Sequence, residues 1–132
     1  MFPTVLIRRL ALAGMLLCLT VVVLGAYVRL TDAGLGCPDW PTCYGHVTPA
    51  GAVGNESATA AQFPGSQFDS GKAWREMIHR YAATGLGLVI VLITGLAIAY
   101  RQQKMLSPAY AVVLLATVVF QGVLGALTVW WL

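Results

Sequence analysis

Apolar and polar positions alternate along the chain in long blocks, with no short periodic repeat. Leu10 to Val28 is nineteen residues without a formal charge. Wound as a helix, it measures about 28 Å, enough to cross the hydrocarbon core of a bilayer. A second uncharged run extends from Tyr81 to Tyr100, and a third follows Pro108. These blocks predict an all-α membrane protein with helices over about 7–28, 73–100 and 107–131. Ser107-Pro108 suits the start of the third helix, as a cap followed by proline in the first turn. Between the first two helices lies a long polar loop, about 29–72. Its half from Gly51 to Ser70 lacks apolar periodicity and reads as irregular.

Composition supports that division. Hydrophobic residues make up 58% of the 132-residue chain and charged residues 10%, too apolar for an ordinary soluble domain. The net charge of +3 carries no nucleic-acid signal, because the basic residues cluster at the ends of apolar runs and read as topology determinants. Arg8 and Arg9 before the first uncharged run, and Arg101 and Lys104 in a tight polar turn after the second helix, place both segments in the cytoplasm. The long loop then lies outside the cytoplasm. A cleaved signal peptide is the competing reading of the first run. That run is long for such a segment, and no A-x-A site follows it, so it is read as a retained helix.

Three cysteines divide into a pair in the loop, Cys37 and Cys43, and Cys18 within the first helix. The outer side is oxidising, and the segment between the pair holds two prolines, so a disulfide is expected there. Whether it is structural or also exchanges electrons stays open. A closed zinc site needs four ligands, and His46 would add only a third. Cys18 reads as a small buried hydrophobe.

The chemistry concentrates at the mouth of the second helix, in Trp74-Arg75-Glu76-Met77-Ile78-His79-Arg80-Tyr81. Glu76 and His79 sit at i and i+3 and so share a face entering the membrane. Ionisable residues there are functional candidates, because burying them unpaired is costly. A neutral imidazole is a good metal ligand, which makes His79 a candidate for haem iron. The plainer reading is an interfacial histidine bonded to a headgroup or a neighbouring helix. Arg75 and Arg80 would pair with a carboxylate, that of Glu76 or of a haem propionate, or else snorkel to the interface. In the third helix Thr117, Gln121, Gly125 and Thr128 form a small and polar stripe, which reads as a helix-packing face. Gly85, Gly87 and Gly95 in the second helix read the same way. Trp130 and Trp131 suit an interfacial aromatic belt.

Arg29-Leu30-Thr31, Gly34-Leu35, Cys37-Pro38-Asp39-Trp40-Pro41 and Cys43 together resemble the first extracytoplasmic loop of the haem A synthase family. Glu76-Met77-Ile78-His79-Arg80-Tyr81 resembles the start of that family's second helix, and Phe120 to Val129 the end of its third. The resemblance implies one half of a two-half membrane enzyme of eight helices, each half a four-helix bundle that can hold haem between two histidines. It also implies oxidation of a ring methyl of haem O to the formyl group of haem A, for cytochrome oxidase assembly. On that resemblance His79 matches a haem-iron ligand, Glu76 the functionally important glutamate, and Cys37 with Cys43 the loop disulfide; Arg80, by its charge, is the further candidate to bind haem.

The same resemblance implies haem O as substrate and haem b in the second half. It suggests the cell inner (plasma) membrane as location, with the N-terminus cytoplasmic. Beside haem and the lipid bilayer, the partners it suggests are haem O synthase, an electron donor and a second copy of the chain. This sequence contains three of the four helices of one half, so it reads as a fragment, inactive alone. Two other classes stay open: an electron-transferring b-type membrane cytochrome, which needs His79 but not Glu76, and a non-catalytic membrane segment.

Overall fold

The computed structural model describes residues 2–103 and 106–131. Among these the chain is helical, with α1 (Phe2–Leu30), α2 (Glu56–Gln62), α3 (Ser70–Ala99) and α4 (Pro108–Trp131). Single turns of 3-10 helix lie at Pro49–Ala52 and Arg101–Gln103. The helices α1, α3 and α4 are each long and apolar enough to cross a membrane, as the apolar blocks predict. Lys104, used in the charge argument, lies outside the described residues.

The long helices start and stop for local reasons. α1 runs two residues past its expected end at Val28, because its cap lies further on. Asp32 adopts a left-handed φ of 49°. The Ala33 N–H then donates to Val28 O at 2.9 Å and the Asp32 N–H to Arg29 O at 3.3 Å. This pair of bonds is a Schellman motif, which satisfies carbonyls a helix end leaves over. Val28 and Ala33, the two positions that flank the motif, are both buried. α3 starts earlier than expected, because Asp69 caps it. The Asp69 carboxylate accepts the Lys72 N–H at 2.9 Å, and its backbone carbonyl accepts the Ala73 N–H at 2.9 Å. The Lys72 N–H is the first cause holding the Asp69 carboxyl below its ordinary range.

The polar segment departs from its expected irregularity. Within Gly51 to Ser70 the structure has α2 and part of a 3-10 turn. The sequence Glu56-Ser57-Ala58-Thr59-Ala60-Ala61-Gln62 is rich in alanine, the strongest helix former, with an acid in the first turn. Thr59 packs inward, and its hydroxyl returns to Asn55 O at 2.9 Å.

The chain forms two compact units. One comprises Met1–Val21 with Ala82–Val123. In it Leu86, Ile90, Ile93 and Ala97 of α3 and Ala111 of α4 are buried. The Thr94 hydroxyl donates to Ile90 O at 2.8 Å and reaches Ala111 O at 3.2 Å. Small residues bring α1 and α3 together: a methyl on Gly14 would lie 3.3 Å from Val89, and one on Gly85 3.6 Å from Leu17. At Gly87, Gly95 and Gly125, by contrast, a methyl would meet nothing within 4 Å among the described residues. Cys18 is also unlike its expectation: it is a free thiol on the exposed surface of α1.

The second unit comprises Val22–Tyr81 with Leu124–Leu132. Its core gathers Cys37, Cys43, Tyr44, Ala52, Ala73 and Met77, with Phe63 and Phe68 packed against them. The Tyr44 ring meets Phe63 and Phe68 edge-on, with centroids 5.6 and 5.2 Å away. Trp130 meets Trp40 edge-on at 6.0 Å.

Candidate functional site

The site is built on the first turns of α3. Ala73, Glu76, Met77 and Arg80 recur at helical spacing and share one face. Ala73, Glu76 and Met77 are buried there, beneath the loop that carries Cys37 and Cys43. Gly36 lets the loop approach so closely. A methyl on it would lie 2.7 Å from the Lys72 carbonyl carbon and 2.9 Å from the Ala73 nitrogen. Both neighbours are backbone and cannot yield, so only glycine fits.

The loop turns back on itself through a short hairpin. Cys43 and His46 exchange backbone bonds, N–H to O, at 2.8 and 3.1 Å. The two residues between them, Tyr44 and Gly45, have φ of 54° and 75°, the pattern of a type I′ turn. The Asp39 carboxylate accepts the Tyr44 N–H, the Gly45 N–H at 2.9 Å and the Thr42 hydroxyl. Cys37 and Cys43 are joined by a disulfide with Cα atoms 4.8 Å apart, and the Trp40–Pro41 peptide is cis.

Two charged side chains of α3 bind this loop. Glu76 Oε2 accepts the Cys37 N–H at 3.0 Å, and Oε1 accepts from Arg80 Nη2. Arg80 Nη1 donates to Asp39 O and Thr42 O, both at 2.9 Å. The pair is thus an i,i+4 salt bridge whose members also satisfy loop backbone groups. A buried ion pair is tolerated where such additional bonds complete it. Among the described residues no buried side-chain nitrogen or oxygen lacks a partner.

His79 lies on the same helix but meets a different neighbour. Its half-buried ring faces α1 at Gly25, with Nε2 3.0 Å from where a Gly25 methyl would stand. The expected common face of Glu76 and His79 therefore divides: the carboxylate is committed to the loop, and the imidazole rests against α1. Arg75 does not join Glu76; its guanidinium lies 6.0 Å from the Tyr27 ring centroid, within cation–π range. Arg80, expected to face haem, spends both Nη atoms on Glu76 and the loop. The Tyr81 hydroxyl donates to Val47 O.

Sequence reasoning missed Asp39, Gly36 and Gly25. Asp39 carried a readable signal, an acid shortly before Thr42 and a Tyr-Gly pair, which suits a carboxylate-capped turn. Gly36 and Gly25 carried none, because their role depends on which backbone or ring approaches. Tyr44 is packed in this core, and burial is the first cause raising its phenol above the ordinary value of 10.0. As donors for a metal, no three His, Cys, Asp or Glu side chains gather among the described residues.

Comparison with known proteins matches nearly the whole chain. A family model described as cytochrome oxidase assembly protein matches residues 8–132. The Heme A synthase of Shewanella oneidensis is 45% identical over 111 residues, covering 84% of this chain and 33% of that protein. The Heme A synthase of Lysinibacillus sphaericus is 34% identical over 110 residues, covering 83% of this chain and 30% of that protein. The Heme A synthase of Chelativorans sp. is 30% identical over 129 residues, covering 85% and 33% respectively. The chain thus spans about a third of the length of these curated relatives. No solved structure matches it. Three membrane-length helices, the ordered disulfide loop and a match over nearly the whole chain lead to one conclusion: this is a membrane protein that belongs to the cytochrome oxidase assembly protein family.

Proposed function

We propose that this chain forms part of a haem A synthase, in which it holds the substrate haem O through His79 while a ring methyl is oxidised to a formyl group. Its relatives bear the name Heme A synthase, and the observation that carries the reading is the placement of His79. Its imidazole is half-buried one turn below the loop, and it faces α1 at Gly25, which presents no side chain. A neutral imidazole in such surroundings is a competent iron donor. The porphyrin supplies the redox chemistry when bound.

The chain's own residues bind, orient and shield. Glu76 fixes the Cys37 amide and is the candidate for charge stabilisation or proton movement near the reacting group. Arg80 holds that carboxylate in place and ties it to Asp39 and Thr42. The disulfide loop then forms a cover over the start of α3, which limits water entry from above. We place the N-terminus in the cytoplasm and the loop on the outer face of the inner membrane. The support is Arg8, Arg9, Arg101 and Lys104 by charge, together with the disulfide, which persists on an oxidising side. Haem b in the remainder of the protein, haem O synthase, an electron donor and self-association belong to the same proposal through the family alone.

The test is haem content alongside haem A yield, in the protein as its gene encodes it. His79→Ala is expected to lose haem from this half, and Glu76→Ala to retain haem but lower haem A yield. A protein that binds haem through His79 and makes no haem A would be the electron-transferring cytochrome instead. Unchanged haem binding and yield in His79→Ala would end the ligand assignment.

A further inference from the structure

Haem has two apolar faces and, at one edge, two propionate carboxylates. Held by a ligand inside a membrane segment, those carboxylates need a cation toward the polar end, because burying them unpaired is costly. Two arginines of α3 stand near His79. Arg80 is already engaged: Nη2 donates to Glu76, and Nη1 to Asp39 O and Thr42 O. Arg75 is placed differently. It lies four residues before His79, so the two share one face of α3, with Arg75 one turn nearer the loop. Both side chains turn to α1. The Arg75 guanidinium lies 6.0 Å from the Tyr27 ring centroid, and the His79 imidazole meets Gly25.

We propose, resting on the reading of His79 as the haem ligand, that Arg75 binds a haem propionate. Among the described residues its guanidinium has no ion-pair partner. Asp69 is near, since a methyl on Gly71 would stand 3.2 Å from Asp69 Oδ1 and 3.3 Å from Arg75 Nη2. The Asp69 carboxylate is bound to the Lys72 N–H instead. Gly71 is exposed and puts no side chain over Nη2, so that nitrogen stays open to a ligand. The Tyr27 ring holds the half-buried guanidinium in place. A planar fork fixed in this way can take a carboxylate in two parallel bonds with little further loss of freedom. The same fork suits the phosphate of a lipid headgroup, the other anion met at a membrane surface.

The test compares haemin with haemin dimethyl ester, in which both propionates are neutral. Each is titrated into haem-depleted protein, as its gene encodes it, in detergent, following the part of the Soret change that His79→Ala abolishes. Arg75→Gln is expected to weaken haemin about ten-fold, the size of one charge-assisted hydrogen bond, and to leave the dimethyl ester unchanged. Arg75→Lys keeps the charge without the fork and should retain part of the preference for haemin. Lys72→Gln removes an equal charge three residues away and should retain all of it. Equal weakening of both haems in Arg75→Gln is damage to the site and overturns the proposal. An equal loss of preference in Lys72→Gln is diffuse charge and overturns it too. So does an unchanged preference in Arg75→Gln accompanied by weaker retention of phosphatidylglycerol, which would assign the guanidinium to lipid. If His79→Ala abolishes none of the Soret change, the ligand reading fails instead. The dependence of total haemin uptake on Arg75 then decides the propionate contact by itself.

Discussion

The start of α3 and the far part of α4 are both helical, both apolar in the main and both marked by a few polar residues. They are held in different ways. On α3, Glu76 and Arg80 each bond to groups tens of residues away in the chain. On α4, the hydroxyls of Thr117 and Thr128 return to their own helix, at Val113 O and Gly125 O. Gln121 is exposed, and methyls on Gly122 and Gly125 would touch nothing within 4 Å. The first surface is determined by this chain. The second is left for whatever surrounds it, lipid or other helices. Polar residues at the edge of a membrane segment can be satisfied by a loop outside it, whereas those deeper in have only the helix itself or a neighbour.

The sharpest way to break this comparison is to remove the clamp. Glu76→Ala removes the buried carboxylate that accepts from Arg80 Nη2 and from the Cys37 N–H. A loss of about 3–5 kcal/mol in the stability of the loop region is expected, read as earlier thermal exposure of the loop to protease. Next in size is the disulfide. Cys37→Ser with Cys43→Ser opens a bridge of sequence separation 6. It should cost about 2 kcal/mol, since closing so short a loop removes little chain entropy. Denaturant titration with and without reductant would read this.

The pH dependence is smaller and has a definite sign. The Tyr44 phenol is raised above 10.0 by burial. Its contribution is present below that value and is lost as pH rises through the folded value, because the unfolded chain ionises first. Tyr44→Phe should flatten this alkaline loss, as seen by near-ultraviolet absorbance and melting between neutral pH and the alkaline limb. Smallest of all is the change on α4. Gly122→Ala should leave the melting of the Cys37 loop unchanged, because a methyl there meets nothing within 4 Å among the described residues.

The same contrast explains what the sequence disclosed. The three long helices were legible because each apolar block is longer than a soluble core element requires. The cysteine pair was legible from its place in a polar loop. Glu76 and Arg80 were visible as candidates, but their partners were not, since nothing local reveals that Arg80 reaches back to Asp39 and Thr42. The helix ends slipped by two or three residues where Asp32 and Asp69 set them, because an aspartate in a polar stretch looks like any other loop residue until the helix is drawn to it. α2 was overlooked because Gly, Pro and Ser on either side masked its alanine-rich turn. Cys18 was misplaced because an apolar run does not say which of its faces the chain itself will cover.

The central claim is that Glu76 and Arg80 lock the disulfide loop onto the helix that carries His79. Amide hydrogen exchange in the wild type and in Glu76→Ala, in the protein as its gene encodes it, tests this most directly. Glu76→Ala should exchange markedly faster across residues 36–46, led by the Cys37 amide, with residues 86–97 of α3 unchanged. Equal protection of residues 36–46 in both proteins would contradict it.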